Sequence, residues 1–174
     1  MDDRAVVEAQ VGRALRSEAD VAQRCHLGLP VVINVPPLLD DGTPFPTLYW
    51  LTCPLAVKRI GRIEAAGGVR AAEQRIADDP NVCAAHDQAM ARYRAERDAL
   101  IPDGYQGHRP TGGVGGTRAG VKCLHAHYAD TAAANRNPIG AWTAEQIEPL
   151  DCSTPCVATV DGAWSRNPAW TEPR

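Results

Sequence analysis

Two short runs of residues decide the fold: Val31-Val-Ile-Asn-Val35 and Thr47-Leu-Tyr-Trp-Leu-Thr52. Both are rich in β-branched and aromatic side chains, which favour strands. The first run is almost entirely apolar and predicts a buried strand that ends at Pro36. A turn signal, Asp41-Gly42, separates it from the second run. The sequence therefore predicts a hairpin whose second strand delivers Cys53 to its end.

The rest of the chain is predicted to be mainly helical. Helices are expected from Asp2 or Asp3 to about Leu15, from Pro54 to about Ala66, from about Val69 to Ala77, from about Pro80 to Ile101, over 120–134 and over 138–147. We expect a single helix-rich α+β domain over residues 1–157, with a small hairpin-like sheet and a Cys/His metal site. An irregular tail is expected over residues 158–174.

Composition limits the classes of protein to which this chain can belong. The 174 residues suit one domain, and a net charge of −3 gives no global attraction to nucleic acid. No apolar run approaches the ~20 residues of a membrane span, and the acidic first residues lack the features of a secretory signal. We expect a cytoplasmic protein without a membrane partner. In that compartment cysteines favour metal ligation or free thiols over disulfides.

The densest chemical motif is Gly112-Gly-Val-Gly-Gly-Thr-Arg-Ala-Gly-Val-Lys-Cys-Leu-His-Ala-His127. It places Cys123, His125 and His127 directly after a glycine-rich loop. Thiolate and imidazole groups are preferred ligands of zinc and of other soft or borderline metals. On a helix, Cys123 and His127 would share a face and His125 would point away. In an irregular turn all three side chains would converge.

Four further cysteines lie where the chain is expected to turn: Cys25, Cys53, Cys152 and Cys156. The spacing of the last two allows one ion to be bound from a turn. Structural zinc sites commonly use two such pairs, and only one is present, so an iron–sulfur cluster is slightly favoured over zinc. The competing interpretation is that cysteines simply pack in the core, as we expect for Cys83.

The glycine-rich loop also suggests an anion site. Gly115 and Gly116 would let backbone N–H groups approach a ligand, and Arg118 and Lys122 add positive charge where a helix is expected to begin. The pattern matches neither of the common nucleotide-binding motifs. The alternative is that the glycines only permit unusual backbone angles.

Several motifs occur together along the chain: Arg24-Cys25 with Gly28 and Pro30, Asp41-Gly-Thr-Pro-Phe-Pro-Thr-Leu-Tyr-Trp-Leu-Thr-Cys-Pro54, Gly120-Val-Lys-Cys-Leu-His-Ala-His-Tyr-Ala129, Asn137-Pro138 with Gly140, and Cys152 with Cys156. Over roughly residues 8–157 they resemble a bacterial family, common in actinobacteria, called domain of unknown function 501. The resemblance implies no activity. It implies a shared pattern that excludes Cys83 and consists of Cys25, Cys53, Cys123, His125, His127, Cys152 and Cys156.

The leading functional hypothesis is a cytoplasmic metal-binding protein with an iron–sulfur cluster or zinc. Its expected first ligands are Cys53, Cys123 and the pair Cys152 and Cys156. The remaining candidates, Cys25, His125 and His127, compete for the other positions or support the ligands.

Two alternatives come from other classes of protein. One is an enzyme for a phosphorylated or other anionic substrate, in which Arg118 and Lys122 bind the anion and His125 or His127 is a general acid or base. The other is a regulatory module that binds a protein partner and holds a structural zinc. The sequence leaves the catalytic residues and the partner open.

Overall fold

Strand β2 (Pro30–Asn34) is the central strand of a three-stranded sheet. The computed structural model describes residues 2–173. Strand β2 pairs antiparallel with β1 (Asp20–Arg24) on one side and with β3 (Tyr49–Leu51) on the other. The predicted hairpin is therefore confirmed, with shorter strands. Strand β1 was not predicted, because its residues are mostly polar and exposed and carry no hydrophobic pattern.

The apolar run of β2 is buried on both faces of the sheet. Val32 packs in the main core, which also contains Leu51 and Ile60. Ile33 packs on the other side, in a second cluster with Val7. Burial on both faces explains why this strand is continuously apolar and does not alternate.

Six α-helices lie within residues 2–173: α1 Asp3–Val11, α2 Pro54–Ala65, α3 Gly68–Asp78, α4 Pro80–Ala99, α5 Leu124–Ala132 and α6 Pro138–Ile147. Proline occupies the first turn of α2, α4 and α6, where its missing N–H costs nothing. Helices α2, α5 and α6 supply most of the main core. The predicted helices are confirmed, but α1 ends at Val11 and α5 begins only at Leu124.

The C-terminal segment folds back onto the domain, so the expectation of an irregular tail is wrong as far as Arg166. It contains the hairpin of β4 (Val157–Val160) and β5 (Ala163–Arg166). The turn residues Asp161 and Gly162 both have positive φ, as a two-residue hairpin turn requires. The Arg166 guanidinium donates a hydrogen bond to the Gln10 carbonyl, which holds the hairpin against α1.

The α+β class and the single domain are confirmed, but the metal site included in that prediction is not formed in the structure. Within residues 2–173, no three His, Cys, Asp or Glu side chains are already arranged to hold one ion. No helix in this described range is long and apolar enough to cross a membrane.

Candidate functional site

Four of the six cysteines line one small cavity at an end of the three-stranded sheet: Cys25, Cys53, Cys152 and Cys156. The topology of the sheet brings the first two together. Strands β1 and β3 both run antiparallel to β2, so their carboxyl ends lie at the same end of the sheet. Cys25 follows β1 directly and Cys53 follows β3 after Thr52. The two cysteines therefore flank the start of β2.

The other two cysteines arrive from the turn between α6 and β4. Gln10 of α1 links this turn to the sheet, because its Nε2 donates to the Pro30 carbonyl at 2.9 Å and lies 3.6 Å from Cys156 Sγ. On the other side of the turn, His26 Nε2 lies 2.9 Å from the Cys152 carbonyl oxygen. Both cysteines of the turn are thus tied to the part of the chain that surrounds Cys25.

The cavity that the four cysteines share has a volume of about 10 Å³. This is close to the space that one water-sized sphere occupies. Its remaining walls are largely apolar and include Leu29, Leu55 and Leu150. The four thiols are gathered around this space, and their side chains must turn further inward to reach one common point.

Several N–H groups are directed at the sulfur atoms. Trp170 Nε1 lies 3.5 Å from Cys152 Sγ. At the start of α2, the backbone N–H groups of Leu55 and Ala56 face the Cys53 sulfur, although neither makes a hydrogen bond of normal geometry. Donors of this kind stabilise the negative charge of a thiolate.

Burial controls the acidity of these thiols. Desolvation, with smaller contributions from the nearby sulfurs of Cys156 and Cys152, raises the pKa of Cys53 to about 11. Burial also raises the pKa of Cys156, while the Gln10 amide opposes that shift. These thiols are therefore neutral at pH 7 unless a cation stabilises their ionised form.

Cys123 lies in a different pocket from the four-thiol cavity. Its pocket has a volume of about 330 Å³ and lies between β3 and the start of α5, where Trp50, Lys122 and His125 also line it. Cys123 is the only cysteine of the described residues in these walls. Burial raises the pKa of its thiol. The structure thus does not bring Cys123 to Cys53 as the sequence analysis expected.

His125 has partners at both of its ring nitrogens. Nδ1 lies 3.1 Å from Glu64 Oε1, and Nε2 lies 3.2 Å from the Val57 carbonyl oxygen. A metal ion would have to displace one of these contacts. The predicted role of His125 as a metal ligand therefore has no support in this geometry.

His127 points to the other side of α5 and is buried there. Its Nδ1 lies 3.1 Å from Asn137 Oδ1, which already accepts the N–H groups of Ile139 and Gly140, so Nδ1 must carry the proton. The ring stacks on His86 with 5.4 Å between centroids. Burial lowers the pKa of His127 to about 4. Its Nε2 and the Nδ1 of His86 have no hydrogen-bond partner among the described residues.

Two glycines of the glycine-rich loop donate their N–H groups to carbonyls of the loop itself. Gly113 donates to the Thr117 carbonyl at 2.8 Å, and Gly116 donates to the Gly113 carbonyl at 2.9 Å. Gly115 and Gly116 have positive φ, and a Cβ on Gly116 would lie 2.8 Å from the Pro46 side chain. Turn geometry and close packing therefore account for these glycines, which is the alternative that the sequence left open.

Glu64 occupies the place where an anion was expected. The Leu124 N–H, at the start of α5, donates to Glu64 Oε1 at 2.5 Å. The helix terminus, which would attract an anion, thus already has a carboxylate partner from the protein. Arg118 is exposed on the loop and Lys122 lines the pocket of Cys123. The Leu124 N–H at the start of α5 is therefore not available to a bound anion.

Sequence analysis missed Gln10 and Trp170, which both contact sulfur atoms of the cavity. The position of Gln10 could have indicated its role, because it lies on the buried face of α1 with Val6 and Val7. A polar side chain on such a face needs a buried partner. Trp170 lies in the segment predicted to be irregular, where no periodic pattern marks it.

The fold and the cavity define a helix-rich α+β protein with four thiols around one small space. By sequence, the chain belongs to the family described as protein of unknown function (DUF501), which matches residues 21–145. The predicted family is therefore confirmed. The matched range contains Cys25, Cys53, Cys83 and Cys123 and ends before Cys152. No curated protein and no solved structure matches the chain.

Proposed function

We propose that this protein binds one zinc ion through Cys25, Cys53, Cys152 and Cys156. The observation that carries the proposal is the meeting of four thiols, distant along the chain, in the walls of one cavity. Zinc takes four thiolate or imidazole ligands in a tetrahedron, with sulfur at about 2.3 Å. Inward rotation of the four side chains would complete such a centre.

Simple core packing accounts for one buried cysteine more readily than for four in one cavity. Cys83 is such a case, since it lies on α4 outside the cavity. The cavity also has polar neighbours that an apolar core does not need. Gln10 is only 1% exposed, contacts Cys156 Sγ through Nε2 and leaves Oε1 without a partner among the described residues. Directed N–H groups are typical of the second layer around metal-bound ligands.

The size of the cavity favours a single ion over an iron–sulfur cluster. A volume of about 10 Å³ admits one small atom or ion. A cluster contains several iron and sulfide ions and would need the four thiols to lie further apart. We therefore propose zinc in place of the cluster that the spacing of the cysteines slightly favoured.

The proposed centre would hold together parts of the fold that are distant along the chain. Cys25 follows β1, Cys53 directly precedes α2, and Cys152 and Cys156 belong to the turn before β4. An ion bound to all four would fix the end of the sheet against the C-terminal hairpin. Because ligands from distant segments come together only in the folded chain, binding would stabilise the native state.

The enzyme hypothesis loses its main supports at the anion site. Gly113 and Gly116 donate their N–H groups within the glycine-rich loop, and Glu64 accepts the Leu124 N–H at the start of α5. We therefore propose no reaction on a phosphorylated substrate at Arg118 and Lys122.

Elemental analysis with an absorption spectrum tests the proposal, on full-length protein purified without oxygen or chelators. We expect about one zinc per chain and no absorbance band near ~400 nm. Cys152→Ser should lose the zinc, and the matched variant Cys83→Ser should keep it. Iron with sulfide would overturn the choice of zinc, and protein free of metal would overturn the centre itself.

A further inference from the structure

A groove with a volume of about 700 Å³ runs between α4 and the start of α6. On one side, Ala85, Gln88, Ala89 and Arg92 have the spacing of a single helix face on α4. The other side is formed mainly by residues 135–138. A volume of this size is typical of small-molecule sites. This α4–α6 groove shares no wall residue with the four-thiol cavity and is therefore independent of the proposed zinc centre.

A buried carboxylate fixes the polar side chains of the α4–α6 groove. Asp130 is fully buried and accepts hydrogen bonds from Arg92, Asn135 and Asn137, at 2.5, 3.2 and 2.9 Å. Its negative charge is paired with the Arg92 guanidinium. The three donors are thus held in place in the wall before any ligand binds, which lowers the entropic cost of binding.

The α4–α6 groove contains hydrogen-bond donors that have no acceptor. Arg92 Nε is buried and has no partner among the described residues, although the terminal nitrogens of this guanidinium bind Glu96 and Asp130. Asn137 uses one Nδ2 hydrogen for Asp130, and no residue within 2–173 accepts the other. The described wall residues include no carboxylate. A bound molecule would therefore have to supply acceptor oxygen atoms.

Arg136 is the wall cation whose charge is not balanced by the protein. It is exposed, and it forms no salt bridge within the described part of the chain. The charge of Arg92, in contrast, is balanced by Asp130 and Glu96. The first N–H groups of α6 are already bound by Asn137 Oδ1 and add no free donor. One unbalanced guanidinium matches a singly charged anion with two oxygen atoms, such as a carboxylate.

The rest of the α4–α6 groove is apolar and elongated. Ala85, Ala89, Pro138 and Ala141 have small side chains that leave the space open. From Ala85 to Arg92, the face of α4 extends over about 10 Å, at about 1.5 Å per residue. An aliphatic chain of about six to eight carbon atoms has a similar length.

We propose that the α4–α6 groove binds a carboxylate with an aliphatic chain of about six to eight carbon atoms. The carboxylate lies at the end formed by Arg92, Arg136 and Asn137 and accepts their N–H groups. The chain lies along Ala85 and Ala89 and is removed from water there, which supplies much of the affinity.

An NMR titration of the ¹⁵N-labelled full-length protein tests this inference. Hexanoate is compared with acetate, hexanamide and inorganic phosphate at constant ionic strength. The side-chain amide signals of Gln88, Asn135 and Asn137 report on the groove itself. We expect hexanoate to bind about tenfold more tightly than acetate, because acetate lacks the aliphatic chain. Hexanamide should also bind about tenfold more weakly than hexanoate, because it lacks the charge.

Three variants test the assignment of residues. Arg136→Gln should weaken the binding of hexanoate about fivefold and leave that of hexanamide unchanged, because it removes the unbalanced charge. The matched variant Arg94→Gln changes an exposed arginine of α4 outside the walls and should have no effect. Ala141→Leu should weaken the binding of hexanoate more than that of acetate, because the larger side chain occupies the apolar part of the groove.

Each contrary result overturns a stated part of the inference. If none of the four compounds shifts the amide signals of the groove, there is no site. Equal affinities for hexanoate and acetate would overturn the aliphatic chain, and equal affinities for hexanoate and hexanamide would overturn the carboxylate. Tighter binding of phosphate than of hexanoate would replace the carboxylate with a phosphate. The zinc content is measured in every sample, so the proposed function stands or fails separately.

Discussion

The four-thiol cavity and the segment from Cys123 to His127 differ in how they bring ligand side chains together. In the segment, three candidate ligands lie within five residues of sequence, yet the three do not meet at one point. Cys123 faces one pocket, His125 is held by Glu64, and His127 stacks on His86. In the cavity, four cysteines that are spread along the chain from position 25 to position 156 share one space.

The comparison shows that density along the chain does not predict convergence in space. A helix directs neighbouring residues to different sides, and α5 does so for His125 and His127. A sheet does the opposite for the ends of its strands, because β1 and β3 finish at the same end of β2. Topology, which sequence spacing does not report, therefore decides which cysteines meet.

Removal of the metal should have the largest effect. With free zinc about 1,000-fold above its Kd, binding contributes about 4 kcal/mol to the free energy of unfolding. A chelator should then lower the Tm by about 10 °C, as thermal melts followed by circular dichroism would measure. In the Cys53→Ser variant the chelator effect should be only about a third as large, because zinc binds more weakly. An unchanged Tm of the wild-type protein would contradict the centre.

Substitution of single cysteines should separate the two regions. Cys53→Ser removes a proposed ligand and should weaken zinc affinity by a factor on the order of 100, or about 2.7 kcal/mol. Cys123→Ser, in the separate pocket, should change the affinity less than twofold. Competition with a chromophoric chelator measures both constants. Equal losses in the two variants would place Cys123 in the centre after all.

Acid should destabilise the protein through His127, outside the cavity. Burial lowers the folded-state pKa of His127 to about 4 from a reference value of 6.5, so the unfolded chain binds more protons between these values. Stability is therefore full above pH 6.5 and falls as the pH drops towards 4, by about 2 kcal/mol between pH 7 and pH 5.

Urea denaturation of the chelator-treated protein at both pH values measures this effect without the metal. His127→Asn should reduce the loss of stability between pH 7 and pH 5, although the variant is less stable at pH 7. If wild type and variant lost the same amount, another group would be responsible for the acid sensitivity.

The smallest effect is expected at His125. His125→Gln removes a half-buried contact with Glu64 and should cost less than about 1 kcal/mol of unfolding free energy. Its zinc content should stay at the wild-type level, because the two ring nitrogens already have protein partners. A loss of half the zinc or more would show that the histidine takes part in binding.

Much of the fold follows from the sequence, and the missed elements have physical reasons. Strand β2 and the proline-initiated helices carry strong local signals, and the structure confirms them. Strand β1 has an exposed polar sequence and exists because β2 offers it a partner. The hairpin of β4 and β5 was predictable in part, since Asp161-Gly162 between short apolar runs is a typical hairpin turn.

The candidate site was predictable only in its residue types. Cysteine chemistry indicated metal ligation, but the spacing of Cys152 and Cys156 could not show which cysteines from other segments join them. The order of strands in the sheet supplies that information. The glycine-rich loop was ambiguous because close packing and anion binding both require glycine, and only contacts such as that of Gly116 with Pro46 distinguish them.

X-ray absorption spectroscopy of the zinc-loaded protein at the zinc edge tests the central claim most directly, because it counts the ligands by type. We expect four sulfur atoms at about 2.3 Å and no nitrogen. A coordination shell that includes nitrogen at about 2.0–2.1 Å would contradict this account, since it would require a histidine that the structure places outside the four-thiol cavity.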